Sequence, residues 1–276
     1  MKPRLFLAGC LIRIDRFLMG CASRLSGMVG TWLLIFLRPN ELEEHVRWFY
    51  NQPKSVELWG GPESQALGLT GDELYFVTKY LKEKGRCLVL QCGGGRESIA
   101  LTKIGFQVTG LDTSQALVET AKGYATSLSL DCCFEAKDMF EGPSPSERYH
   151  ALFLTRMMYS AIPTRQRRIA FLKKAVSFLS DDGFAYLEFF PAPGRRQNAW
   201  KFRVKRALAR LVAGNRGLEK GDIFRMEDHF WHLFQDPSEL SVELEEAGFD
   251  VAEMNFDHTN VIATLKRSQG TGPRFF

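Results

Sequence analysis

Between Leu88 and Ser98 the chain reads LVLQCGGGRES, and this segment limits the possible folds more than any other. Cys87-Leu88-Val89-Leu90 is a continuous apolar run, the pattern of a strand buried on both faces. It runs into Gly93, Gly94 and Gly95, after which a helix opens at once. Glycines permit a tight turn and let a ligand approach the backbone with no Cβ in the way. The helix start adds unpaired N–H groups and a partial positive charge. Such a junction suits a nucleotide-like ligand carrying a carboxylate or a phosphate, although a glycine triplet alone is equally compatible with a plain tight turn.

The flanking sequence repeats a strand–helix rhythm. Asp72 can cap a helix ending near Lys84, stopped by Gly85. Further strands are expected at Phe106–Leu111, Leu130–Glu135, Tyr149–Leu154 and, after the turn Asp181-Asp182-Gly183, Phe184–Phe190. Helices are expected up to Lys103, over Ser114–Ser127 and over Arg165–Leu179. Pro237 opens a helix that Gly248 follows, and two final strands, Asp250–Phe256 and Val261–Lys266, read as an antiparallel hairpin. Alternation of this kind predicts an α/β protein with a doubly wound, mostly parallel sheet. Upstream, Glu41–Tyr50 reads as a short helix. The run NQPKSVELWGGPESQALG, rich in proline and glycine, reads as a loop.

Two acids sharpen the ligand. Asp112 lies 17 residues after Gly95, at the end of the second strand, where a carboxylate can accept from both hydroxyls of a ribose. Thr113 or Ser114 is then left to cap the next helix. After the third strand, Asp138 is placed to accept from an adenine amino group and Met139 to pack on its ring. A dinucleotide site would want glycine at position 98, where Ser98 stands.

The segments LVLQCGGGRES, VTGLDTS, AKDMF, ALFLTRMMYSAIP and LSDDGFAYLEFF together resemble the class I S-adenosylmethionine-dependent methyltransferases over roughly residues 70–267. The resemblance implies a Rossmann-like, seven-stranded sheet whose last strand is antiparallel. It implies S-adenosylmethionine as cofactor, with Gly93 and Gly95 lining its methionine part and Gln91, Gly94 and Thr113 also among the cofactor-binding residues. Asp112 would hold the ribose, Asp138 and Met139 the adenine, and Thr155 would lie under the cofactor near the methyl group. Gln91 departs from the family, which usually has an acid there to help bind the methionine amino group. Glu97 replaces the third glycine of the common G-x-G-x-G form. These departures keep a non-catalytic S-adenosylmethionine-binding module as an alternative, behind it a dinucleotide oxidoreductase.

The expected organisation is an N-terminal helical extension at 1–69, the catalytic domain at 70–267 interrupted by a lid insertion at 191–236, and a tail at 268–276. Candidate acceptor-side residues are Tyr159, His229 and His232, the two histidines spaced to share a helix face. They lack an obvious third ligand, so no metal is expected. The chain lacks the (Asn/Asp)-Pro-Pro-(Tyr/Phe) and Pro-Cys runs of nucleobase methylation, and no specific nucleic-acid partner is expected. A small-molecule or lipid-like acceptor is expected instead.

Charge is distributed unevenly. Residues 195–216 carry eight basic residues and no acid, with Trp200, Val204, Leu208 and Leu211 at helical spacing. Residues 1–40 hold six basic residues against Asp15 in an apolar background. Residues 1–38 and 195–216 are therefore candidates for peripheral membrane contact. Leu7-Ala8-Gly9-Cys10 resembles a lipoprotein cleavage box, but the apolar stretch before it is too short for a secretory segment. The six cysteines include no C-x-x-C pair, which fits reduced thiols in a cytoplasmic protein.

Overall fold

The computed structural model describes residues 25–143, 148–192, 198–225 and 229–265. Its centre is a seven-stranded sheet of β1 (Arg86–Leu90), β2 (Gln107–Asp112), β3 (Cys133–Ala136), β4 (Tyr149–Leu154), β5 (Leu179–Glu188), β9 (Phe249–Asn255) and β10 (Asn260–Leu265). The strand order is β3-β2-β1-β4-β5-β10-β9, with β10 antiparallel to both neighbours and the inner strands parallel. The chain leaves β1 toward β2 on one side and returns after β3 to β4 on the other. A crevice opens where two such paths diverge, outside the carboxyl ends of β1 and β4.

The continuous apolar runs follow from helices on both faces. Cys87 and Val89 point into a core with α5 (Gly71–Tyr80), α6 (Arg96–Lys103) and α7 (Gln115–Ser127). Leu88 and Leu90 point into the other core, with α8 (Arg165–Phe178) and α10 (Pro237–Ala247). Local signals explain the helix ends. Thr70, not Asp72, caps α5, in a capping box with Glu73. Asp236 caps α10 with Pro237 at its first turn, and Gly248 closes it at φ 101°.

Three segments differ from the sequence expectation. The expected loop after Tyr50 forms two short helices, α3 (Pro53–Gly60) and α4 (Pro62–Ala66). Each begins on its proline, which has the right φ for a first turn and no N–H to leave unpaired. Pro39 likewise starts α2 (Pro39–Tyr50), preceded by α1, described over 25–36. The fifth strand begins at Leu179, because the chain through Asp181 and Asp182 is already extended and Leu179 pairs with Tyr149.

The third difference is in the insertion. Its first half is the expected basic helix, α9 (Ala199–Leu211). Its second half is not helical. β6 (Phe190–Pro191), β8 (Phe230–Phe234) and β7 (Asp222–Phe224) form a small sheet in the order β6-β8-β7. Every residue of β8 is buried, so its aromatic run shows no alternation that would announce a strand. This sheet packs with α1 and α2 through Leu34, Leu42, Val46, Phe224 and Phe230. The expected tail at 268–276 lies outside the described residues, as does the segment 1–24. Among the described residues no helix is long and apolar enough to cross a membrane.

Candidate functional site

The three glycines after β1 do three different things. A Cβ on Gly93 would meet nothing within 4 Å, so this residue faces open space. A Cβ on Gly94 would stand 2.5 Å from Gly60 Cα and 2.6 Å from the Trp59 carbonyl, so the end of α3 rests on its backbone. Gly95, at φ 87°, is the left-handed cap from which α6 starts, packed under Ala121 and Phe134. Of the three, Gly93 thus has open space for a ligand beside its Cα, while Gly94 lines the same space with its backbone seated against α3.

Above Gly93 lies a cavity of about 540 Å³, lined among others by Gln91, Gly94, Asp112, Thr113, Trp59 and Tyr50. A second cavity of about 370 Å³ adjoins it, sharing Gln91, Thr113 and Met158 and adding Asp138, Met139 and Phe140. Six of the expected cofactor residues besides Gly93 therefore line one crevice: Gln91, Gly94, Asp112, Thr113, Asp138 and Met139. Gly95 and Thr155 do not line it. Thr155 is buried and donates to Glu97 Oε1 at 2.5 Å.

Asp112 is the anchor. Its Oδ2 accepts from the Gly93 N–H and its Oδ1 from the Ser114 N–H, both at 2.8 Å. Burial pushes its carboxyl up to about 6 against the pull of these backbone donors. Above that pH the group is a carboxylate facing the cavity, able to take charge-assisted bonds from two hydroxyls. Asp112→Ala should weaken S-adenosylhomocysteine binding by about 1.5–3 kcal/mol in calorimetry. Wild-type affinity should be full above pH 6 and decline as the pH falls through it, because protonation removes the charge that the ligand hydroxyls use. The variant should lack that step.

The floor of the crevice carries an excess of negative charge. Arg96 is buried and donates to Glu73 Oε1 at 2.6 Å, to Glu73 Oε2 at 2.9 Å and to the Gly68 carbonyl at 2.5 Å. It also bonds Glu97 Oε1. Glu188, nearby, accepts from the Arg156 N–H at 2.6 Å and the Tyr186 hydroxyl at 3.2 Å. Burial, and then the Glu73 charge, raise its carboxyl to about 7. Two buried acids, Glu73 and Glu97, thus share one guanidinium, and Glu97 also lines the larger cavity. Gln91 Oε1 and Trp59 Nε1, on residues of the same wall, are buried without a hydrogen-bond partner. An orphan acceptor, an orphan donor, a carboxylate anchor and an acidic floor fit a ligand carrying hydroxyls and an ammonium group.

The mouth was not legible in the sequence. Tyr50 and Trp59 come from α2 and α3, and the Arg156 guanidinium lies over the Trp59 ring at 5.1 Å. Arg156 and Met157 have φ of 55° and 60°, a rare pair of left-handed residues that turns Met158 into the cavity wall.

The candidate acceptor residues separate. Tyr159 is fully buried, stacked on Phe234, and donates to Glu243 Oε2 at 2.6 Å, so it is a core residue and its neighbour Met158 reaches the cavity instead. His229 and His232 lie on the β8 segment, where residues three apart point to opposite faces, so the expected shared helix face is corrected. His232 Nδ1 bonds Asp222 Oδ1 at 2.7 Å, away from the crevice. Burial, and then the Arg168 charge, lower its pKa to about 4. Glu219, Asp222 and His232 cluster tightly enough to hold an ion, but Arg168 Nη2, 2.9 Å from Glu219 Oε2, already supplies the positive charge there. His229 is buried behind the cavity wall and meets one of the wall residues: its Nδ1 contacts the Phe230 carbonyl at 2.8 Å and its Nε2 the Tyr50 hydroxyl at 3.1 Å. A carbonyl can only accept, so Nδ1 carries the proton and Nε2 of the neutral ring can accept from Tyr50.

Comparison with known proteins agrees with this geometry. A family model described as a methyltransferase domain matches residues 88–183. A ubiquinone biosynthesis O-methyltransferase from Coxiella burnetii is 26% identical over 186 residues, 67% of this chain and 72% of the relative. Among solved structures, a Burkholderia thailandensis 1,6-didemethyltoxoflavin-N1-methyltransferase with bound S-adenosylhomocysteine superposes with a TM-score of 0.59 at 14% identity, covering 84% of this chain and 92% of that one. The magnesium protoporphyrin IX methyltransferase of Synechocystis PCC 6803, with bound S-adenosylmethionine, gives 0.53 at 14% identity, covering 82% and 97%. At such identities the structures speak for the fold, while the family model and the sequence relative speak for the activity. The chain carries a methyltransferase domain over residues 88–183 on the Rossmann-like fold of these structures, and it is an S-adenosylmethionine-dependent methyltransferase with S-adenosylmethionine as its cofactor.

Proposed function

We propose that the enzyme methylates a hydroxyl group on a small aromatic or lipid-like acceptor, working at the cytoplasmic face of a membrane. The observation that carries the reading is the Tyr50–His229 pair at the mouth, where Nε2 and the hydroxyl stand 3.1 Å apart. An acceptor hydroxyl must shed its proton as it is methylated, whereas a neutral amine need not do so first. Tyr50 can take that proton while passing its own to Nε2 of His229. The aromatic wall of Tyr50 and Trp59, with Met158 beside it, suits a flat apolar ring and excludes water from the reacting oxygen. The Coxiella relative is named for ubiquinone biosynthesis, which supports an aromatic, membrane-soluble acceptor.

S-adenosylmethionine supplies an already activated methyl group, so the protein's work is alignment and proton removal. Asp112 holds the ribose hydroxyls, and Asp138 with Met139 holds the adenine. Glu97 supplies the negative charge toward the methionine ammonium that Gln91 lacks. Thr155 and Arg96 fix the Glu97 carboxylate in place.

The test is transfer of labelled methyl to a panel of catechols, hydroxyquinones, aliphatic alcohols and aromatic amines. Hydroxylated aromatics should be methylated and the amines should not. Turnover of amines alone would overturn the reading.

A further inference from the structure

We infer that α1 and α9 together form a docking surface for an anionic lipid bilayer. The two helices lie side by side in the same direction. Lys205 Nζ reaches Thr31 Oγ1 at 3.4 Å near their middles, and the Asn215 N–H caps the Ile35 carbonyl at 3.0 Å where both end. A Cβ on Gly214 would stand 2.1 Å from that same carbonyl, so the approach is close. Inward anchoring is secure: Leu34, Ile35 and Ala209 are buried, and a Cβ on Gly30 would meet the Phe224 carbonyl at 2.3 Å.

What faces outward is unusual. On α1, Leu25, Met28, Trp32 and Phe36 are exposed and recur at three- and four-residue spacing, a single stripe. On α9, Trp200, Val204 and Leu211 make a second stripe, with Trp200 at 70% and Leu211 at 81% exposure. Met28, Trp32, Lys205 and Leu208 line the groove between the helices, so the two stripes border a common surface. Folded proteins seldom leave contiguous large apolar side chains in water without a partner.

The charge selects the partner. Residues 25–36 contain no ionisable side chain, and α9 contains Lys201, Arg203, Lys205, Arg206 and Arg210 with no acid. An apolar stripe flanked by cations, with tryptophans at the boundary, matches the headgroup region of a bilayer: rings enter the interface while Lys and Arg stay at the level of lipid phosphates. A second copy of the chain would bring the same cations against themselves, which disfavours self-association through this face. Vesicle binding rests on the membrane placement proposed above and is independent of the acceptor chemistry, so the two can fail separately.

The experiment is co-sedimentation of the full chain with phosphatidylcholine vesicles, with and without about a third phosphatidylglycerol. Binding should require the anionic lipid and weaken roughly tenfold or more as salt rises from about 0.1 to about 0.5 M. Lys201→Glu with Arg206→Glu, and separately Trp32→Ser with Trp200→Ser, should each weaken it about tenfold or more while thermal unfolding stays unchanged, since all four side chains are on the outside. Equal binding to neutral vesicles, or none to anionic ones, overturns the inference. A concentration-dependent dimer abolished by the tryptophan pair, without vesicle binding, would assign the face to a second copy.

Discussion

Arg168→Leu should lower the stability of the fold by about 3–5 kcal/mol, read as a shift of the urea midpoint with unchanged slope. Arg168 is 1% exposed, yet it carries a charge, and its neighbours account for that. Its Nε and Nη2 reach Glu243 at 2.7–3.2 Å, and Nη2 reaches Glu219 at 2.9 Å. Its guanidinium lies 5.3 Å from the centre of the Phe234 ring. Removing the cation leaves Glu243, itself 2% exposed, with the Tyr159 hydroxyl as its one remaining side-chain hydrogen-bond partner among the described residues. The penalty comes from that stranded carboxylate. Arg168→Leu combined with Glu243→Leu should regain most of the loss, because well-packed apolar residues replace such a pair at little cost. A double variant as unstable as the single one would show that packing, not charge, sets the effect.

His229→Ala should slow methyl transfer by roughly 10²–10⁴-fold while leaving S-adenosylhomocysteine affinity unchanged. The ring is held by the Phe230 carbonyl, and its Nε2 stands 3.1 Å from the Tyr50 hydroxyl. The defect should follow acceptor acidity. Phenols that are ionised at neutral pH should react almost normally, and weakly acidic hydroxyls should suffer most. For the variant the rate should climb with pH over the range in which the acceptor itself ionises. A uniform loss across acceptors would assign His229 to architecture alone.

The central sheet was legible in the sequence because its physics is local. A strand covered by helices on both faces must be apolar throughout, as Cys87–Leu90 and Ala151–Leu154 are, and the glycine bend and Asp112 follow at fixed offsets. The roof was not legible. Pro53 and Pro62 read as interruptions because a proline that starts a helix and one that forbids it look alike without knowing what lies upstream. β8 buries all five residues, so neither periodicity survives. His229 and His232 accordingly looked like helix neighbours when they part to opposite faces. Tyr50 and Trp59 carried no signal at all, since their role depends on α3 arriving at Gly94. The place of Gln91 was visible as a departure, but the burial of Glu97 between Arg96 and Thr155, on which we base its proposed compensating role, depends on contacts that no local pattern announces.

The seam at Gly94 has a consequence for inheritance and engineering. Gly60 sits against Leu117 and Thr120 on one side and against Gly94 on the other, with no room for a methyl on either glycine without displacing a neighbour. The two positions behave as one unit although 34 residues apart. A chimera that grafts the first 69 residues of a relative onto this catalytic domain will assemble only if the donor brings a glycine to this joint. The part of the acceptor wall that Tyr50 and Trp59 contribute is therefore exchangeable only together with this joint.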